Sequence, residues 1–589
     1  MQRLPRTILP RALACALLLV AAPLRAGIRV DIDGVDGELK RNVEAFLSVA
    51  RYKDRDKLEE DTVVRLYNRI NEEVRSALKP LGYYEPQVKA TYESENKDNN
   101  WRVRISVEPG KPVVVESAEL RIEGPGADDP VFRQVRELGG LRKGVRLNHG
   151  SYEQAKGDLQ RIAAAYGYLD AKLLENELKV DPAAHRADIR LRMNTGPRYH
   201  FGQILIEQSV IRPELMRRFM RFQEGEPYNT ALLLRTQFAL DDSLYFSTVE
   251  VLPQQRDPQT LSVPVKISAE KGRRAFSIGA GYGTDTGARG TFGWTDSRIN
   301  DRGHRFRVQV QASNITRRID SRYDIPIGDP AVERLSMQFT DRTEDISDLK
   351  VTELSLTPSV TQVIGHWQRV LSVAATHTQT DDGSTLQAAN LLVPGISYAS
   401  VPEGYLGETL FSRGFYADLI GSTHVLGSDA DFLRLHVQGE RVFDLQPQWH
   451  VLLRGELGAS LTHNFDRLPG IYRFFAGGDR SVRGFAYNSL SPVESVVLRG
   501  QSTPSERNVG GRNLLVGSTE LVRDLPRNFA VATFFDIGNA FDKLGDPMAY
   551  SAGIGMRYRL PVVSIGLDIA QPLSQSGSPR LHLNISPKL

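Results

Sequence analysis

The chain runs to 589 residues, more than one ordinary domain needs, so several units are expected. Its formal charge of +3 is close to balance, which speaks against a nucleic acid or another polyanion as partner. A single cysteine excludes a disulfide-stapled scaffold and a thiolate metal site.

At the N-terminus, Arg3, Arg6 and Arg11 precede the apolar run from Ala12 to Ala22, and the small residue Ala26 follows. This is the layout of a secretory signal peptide over residues 1–26, cleaved after Ala26. The run holds about eleven apolar residues, where a membrane-spanning helix needs roughly 20. Cys15 lies inside it, so the mature chain is expected to carry no thiol. No later apolar run approaches the ~18 residues of a helical span. A mildly negative mean hydropathy still leaves room for a closed β-barrel, whose strands alternate apolar and polar residues.

An internal repeat fills the first half. A helix-like stretch ending Ala77-Leu-Lys-Pro-Leu-Gly-Tyr-Tyr84 leads into Pro86–Tyr92 and then into the alternating Trp101–Gly110. Ala163–Tyr168, Ala171–Asn176 and Ala187–Gly196 form a second copy, and Leu240–Phe246, Val249–Leu252 and Val263–Gly272 a third. Each copy reads β-α-α-β-β, a unit of about 75 to 85 residues that buries one helical layer on a three-stranded sheet. The modules are assigned to residues 27–112, 113–198 and 199–272. The aromatics at the helix-to-strand turns are expected to plug the cores.

After Gly272 the helical period disappears. Phe306, Val308, Val310 and Ala312 alternate with Arg305, Arg307, Gln309 and Gln311. Leu433, Leu435 and Val437 alternate with Arg434, His436 and Gln438, and Ile565, Leu567 and Ile569 with Ser564, Gly566 and Asp568. Leu581, Leu583 and Ile585 do the same with His582 and Asn584. Apolar outside and polar inside is the pattern of a transmembrane barrel. Residues 273–589 divide into roughly 16 strand-plus-turn units of about 20 residues. The fold class is therefore α+β tandem modules followed by an antiparallel transmembrane β-barrel of 16 strands.

Catalytic chemistry is not visible. The 11 histidines are scattered, and no metalloprotease helix motif, nucleophile elbow or Cys-x-x-Cys stands out. Gly279-Ala-Gly-Tyr-Gly283 has no strand-to-helix context and reads as a barrel strand approached closely by another backbone. No catalytic residue, metal or cofactor is expected, and the protein is not expected to be an enzyme.

One stretch is left over: Gly477-Gly-Asp-Arg-Ser-Val-Arg-Gly-Phe-Ala-Tyr487 and on to Pro492. Tandem modules ahead of a barrel, with Val482-Arg483-Gly484-Phe485 late in the chain, resemble the Omp85 superfamily. Gly510-Gly-Arg-Asn, Gly517-Ser-Thr-Glu520 and Phe534-Phe-Asp-Ile-Gly-Asn539 follow at the family's spacing. The resemblance covers the whole mature chain. It implies POTRA modules in the periplasm, an outer-membrane barrel, and the tetrapeptide at the tip of a sixth extracellular loop folded back into the lumen. Alternation turns Glu520 and Asp536 toward that lumen, where Arg483 is placed to fork onto both. Gly484 permits the bend, and Phe485 wedges against the inner wall.

Three modules in a chain of this length are similar to the translocation and assembly (TamA) branch; the superfamily's general assembly factor carries five, and two-partner secretion transporters two. The ending Asn584-Ile-Ser-Pro-Lys-Leu589 is similar to that branch too. The resemblance implies assembly of outer-membrane β-barrel clients such as autotransporters, transport of outer-membrane lipid, and a TamB-like, inner-membrane-anchored, periplasm-spanning partner. The physical route is strand addition at a weak lateral seam. Ser277, Gly279, Ala280, Gly281 and Gly283 weaken the first strand, and the short last strand, with Leu581, Leu583 and Ile585, runs into Pro587. The rival readings are a two-partner transporter exporting one large protein through the barrel, and a passive porin.

Overall fold

The computed structural model describes residues 28–52, 58–96, 100–136, 140–401, 414–560 and 563–587. The signal-peptide assignment to residues 1–26, Cys15 included, lies outside the described residues. The chain divides into two compact units. One holds the first two modules with residues 225–230 and 256–263; the other holds the rest of the third module and the barrel.

In the first module the helix Ile70–Leu78 buries Ile70, Val74, Ala77 and Leu78, spaced i, i+4, i+7 and i+8 along one face. That face covers a sheet in which Asn100–Glu108 is central. Ile28–Asp33 runs parallel to this strand on one side, and Gln87–Asn96 antiparallel on the other. Both outer strands are therefore open edges. The second module repeats the order with Val114–Glu123, Arg186–Asn194 and Lys172–Asp181. Its central strand turns Ala187, Ile189, Leu191 and Met193 into the core and Arg190 and Arg192 to solvent. Tyr168 and Tyr245, at helix-to-strand turns, are buried. The third sheet places Ser262–Lys271 between His200–Glu207 and Phe246–Pro253.

The barrel closes through sixteen strands, from Ala275–Gly283 to Arg580–Pro587. Consecutive strands pair antiparallel, as in the register Phe306↔Tyr323 to Ala312↔Arg317. Phe339, Leu354, Leu433 and Leu435 lie exposed on the outer face, where lipid would cover them. Inside, arginines pair with carboxylates: Arg322 Nε lies 2.8 Å from Asp324, and Arg318 Nε 2.6 Å from Asp320. Among the described residues no helix is long and apolar enough to cross a membrane. The strands supply the crossing.

Within the second unit, the third module is bonded to barrel turns. The Tyr245 hydroxyl donates to the Gly303 carbonyl at 2.6 Å, and the Arg305 guanidinium stacks over the same ring at 4.8 Å. Arg212 pairs with Asp301 at 2.7 Å, and Arg221 grips Asp329 with both terminal nitrogens at 2.5 and 3.0 Å. Tyr245 is thus both a core plug and a strut.

Candidate functional site: the loop anchor and the barrel seam

Between the strands Trp449–Leu461 and Asn513–Asp524 the chain leaves the barrel wall for residues 462–512. Backbone bridges at Phe474↔Gly511 and Ala476↔Leu490 fold this loop onto itself. It also carries a small hairpin, Val493–Val497 with Pro504–Asn508, which sequence reading missed. Ordering so long a segment costs entropy at every residue, so its anchors have to be strong.

Arg483 is the main one, with 2% of its surface exposed. Its Nε donates to Asp536 Oδ2 at 2.8 Å and its Nη2 to Asp536 Oδ1 at 2.9 Å. Its own backbone amide reaches Asp536 Oδ2 at 3.1 Å, and Nη1 reaches Glu520 Oε2 at 2.8 Å. The fork therefore closes on Asp536 alone, with Glu520 as a single-bond partner. Burial works against the guanidinium charge, but Asp536 and then Glu520 outweigh it and raise the pKa. In strand Asn513–Asp524 the residues Leu514, Val516, Ser518 and Glu520 are buried and Leu515, Thr519 and Leu521 exposed, which is why Glu520 faces inward. Asp536, wholly buried, shares the inner face of Phe529–Phe541 with Ala532 and Phe534.

Four further side chains complete the anchor, and none was singled out from the sequence. Phe534 lies under the guanidinium, 3.4 Å from ring centre to the central carbon. Ser518 donates to Asp536 at 2.6 Å and accepts from Arg483 at 3.3 Å. Asp568 stands 3.5 Å from Arg483 and pairs with Arg557, which also reaches Glu520 at 3.2 Å. Phe534 opens the Phe-Phe-Asp motif, and Asp568 sits on the polar face of an alternating strand. Both signals were legible; their convergence was not.

The rest of the tetrapeptide packs. Val482 and Phe485 are buried with Phe474, Leu490, Leu514 and Val516. Gly484 has φ +138, and a Cβ there would stand 2.8 Å from Ser551 Cβ and 3.1 Å from the Pro572 nitrogen. Both the backbone angle and the close approach demand glycine.

The seam lies between the first and last strands. The first strand pairs with its other neighbour from Ala275↔Thr295 to Gly283↔Gly287, and the last from Val563↔Pro587 to Ala570↔Arg580. Among the described residues, Tyr282↔Ile585 and Gly283↔Asn584 are the pairs in register across the seam. One backbone bond, Thr284 N–H to Leu583 O at 3.1 Å, extends it. At Gly281 an added Cβ would lie 2.8 Å from the Ile585 oxygen.

Of the seam residues read from the sequence, Gly281, Gly283, Leu583 and Ile585 meet there. Ser277 and Gly279 do not pair across it, and Leu581 is exposed on the outer face. The seam is shorter than expected, because the ladder stops near Pro587, which has no N–H to donate. Pro587 does not follow the last strand but closes it, opposite Val563. Ile278, beyond the paired part, is 83% exposed.

Comparison with known proteins agrees with this architecture. The Omp85 superfamily domain matches residues 406–586, and the POTRA domain TamA domain 1 matches residues 29–109. The outer membrane protein assembly factor BamA of Nitratidesulfovibrio vulgaris is 24% identical over 454 residues, covering 71% of this chain and 54% of that protein. The protein of the same name from Buchnera aphidicola is 20% identical over 194 residues, 32% of this chain and 31% of its own length. The chain thus spans about half or less of these relatives. Among solved structures, BamA from Haemophilus ducreyi lacking POTRA domains 1–3 superposes with a TM-score of 0.61 at 17% identity, covering 80% of this chain and 99% of that one.

Modules of this build, a sixteen-stranded barrel and a loop pinned in its lumen define an outer-membrane protein with a periplasmic arm. The likeness to the Omp85 superfamily rests on the barrel segment 406–586, and that to a TamA-type POTRA domain on residues 29–109.

Proposed function

We propose that the protein is an outer-membrane insertase and translocase that assembles β-barrel clients such as autotransporters, with phospholipid as a second cargo. The observation that carries this reading is the seam, held by two paired positions where every neighbouring barrel pair described has a longer ladder. A strand edge so weakly occupied templates an incoming strand through its free backbone groups. The protein acts by this templating, without catalytic residues or a cofactor. The match of residues 29–109 to a TamA-type POTRA domain supports the translocation and assembly branch. In that reading a TamB-like, inner-membrane-anchored protein docks on an edge strand of the first module.

The test is a disulfide across the seam, Tyr282→Cys with Ile585→Cys, which are opposite one another. The oxidised protein in proteoliposomes is expected to stop inserting an autotransporter barrel, and reduction to restore it. Full insertion by the locked protein would overturn the reading. For the partner, a photo-crosslinking residue replaces Lys89, exposed on the edge strand Gln87–Asn96. Capture of a β-rich inner-membrane-anchored protein is expected. Capture of a secreted exoprotein instead would make the chain a two-partner transporter.

A further inference from the structure

Three side chains from distant parts of the sequence meet beside the seam. Asp285 lies in the turn after the first strand, Asp479 in the long loop just ahead of the tetrapeptide, and His582 on the last strand. One donor atom from each lies within 4.8 Å of the other two. His582 Nδ1 is hydrogen-bonded to Asp479 and stands 3.8 Å from Asp285 Oδ1. Asp285 Oδ2 accepts the Asp479 amide at 2.6 Å.

Two carboxylates and an imidazole that is 4% exposed converge here, and none of the three carries a fixed positive charge. A dication held by Nδ1 and both carboxylates would cancel the charge of the pair.

We propose that Asp285, Asp479 and His582 form a binding site for a divalent transition metal of the zinc class. Imidazole nitrogen with carboxylate oxygens is a donor set zinc accepts, and hard calcium or magnesium sites rarely include imidazole. With 3.8 Å between Nδ1 and Asp285 Oδ1, small side-chain shifts bring the donors to the separation of about 3.3 Å that tetrahedral zinc requires, with a fourth position left to water. Because the donors come from the first strand's turn, the loop and the last strand, the bound ion ties the loop to both sides of the seam. Sequence spacing gave no hint of it: the three residues share no motif.

The test is zinc alone, titrated into the full-length protein in detergent micelles against a chromophoric chelator. One equivalent is expected to bind. Asp479→Asn and His582→Ala are each expected to weaken binding by about tenfold or more, at least the scale on which losing a supporting group weakens a metal site. Each variant is first checked for the compact, heat-modifiable form of a folded barrel, and Asp285→Asn replaces any that fails. No stoichiometric binding by the native protein, or binding unchanged in the folded variants, would overturn the proposal. The readout is binding, so either result leaves the proposed insertase function to be judged by its own experiment.

Discussion

Arg483 clasps both carboxylate oxygens of Asp536, at 2.8 and 2.9 Å, inside the barrel, and Asp536 has no exposed surface at all. Glu520 and Asp568 pair directly with Arg557 as a second cation, whereas the other hydrogen-bond partner of Asp536 among the described residues is the Ser518 hydroxyl, with Arg454 standing behind it at 3.3 Å.

Removing the arginine therefore strands one carboxylate more than the others. Arg483→Ala is expected to destabilise the folded barrel by about 3–5 kcal/mol, the usual penalty for an uncompensated buried charge. Adding Asp536→Asn should recover a good part of that loss in denaturant unfolding, and adding Glu520→Gln should recover little. Equal rescue by both would show that the anchor is not centred on Asp536.

Gly484→Ala attacks the same anchor through the backbone. The added methyl meets Ser551 Cβ at 2.8 Å, and φ +138 is unfavourable for alanine. A cost of about 1–3 kcal/mol is expected, with the loop becoming sensitive to protease while the barrel stays folded. Ser551→Gly in the same chain should restore protection only in part, because it removes the clash and leaves the backbone strain.

The seam predicts a pattern of amide exchange. Between Ala275 and Gly281 the amides directed at the last strand have no ladder partner in register among the described residues. They should exchange markedly faster than those of Gly287–Asp296, which is paired on both sides. Uniform protection along the first strand would mean that the seam is closed over its whole length.

In the first unit, His149 Nε2 lies 2.6 Å from the Tyr84 hydroxyl. Burial, then the nearby Lys79, hold the His149 pKa below its ordinary 6.5, so the ring is neutral in the fold. The unfolded chain then takes up the proton first, and stability is fully present above about 6.5 and declines as pH falls through that value. Lowering the pH from about 7.5 to about 5.5 should reduce the thermal stability of this module pair by more in the native protein than in a His149→Gln variant. Ring resonances of His149 that titrate at or above 6.5 would contradict the assignment.

The modules and the barrel were legible because their signals are periodic: one in two residues for strands, i, i+4, i+7 for helices such as Ile70–Leu78. Alternation turned Glu520 and Asp536 inward, and the resemblance carried by the three motifs, together with the charge of Arg483, picked them as its partners. What stayed hidden depends on contacts between remote segments. Arg557 and Asp568 join the anchor only because their strands stand beside Phe529–Phe541 and one another in the closed wall. The length of the seam was misjudged because glycine content reports how weak a strand is, and not where its partner's ladder stops. The loop hairpin at Val493–Val497 is too short to show a period.

The struts between the third module and the barrel have a mechanical meaning. Tyr245, Arg212 and Arg221 attach to turns at Gly303, Asp301 and Asp329, which join the second strand to the third and the fourth to the fifth. All of these lie on the first strand's side of the seam. Arg483 grips the opposite wall through Asp536, Glu520 and Asp568. A tug delivered to the third module thus reaches one wall, while the Arg483 anchor holds the other. The barrel behaves as a clamp whose handle is fixed to one jaw, and the load falls on the short seam between them.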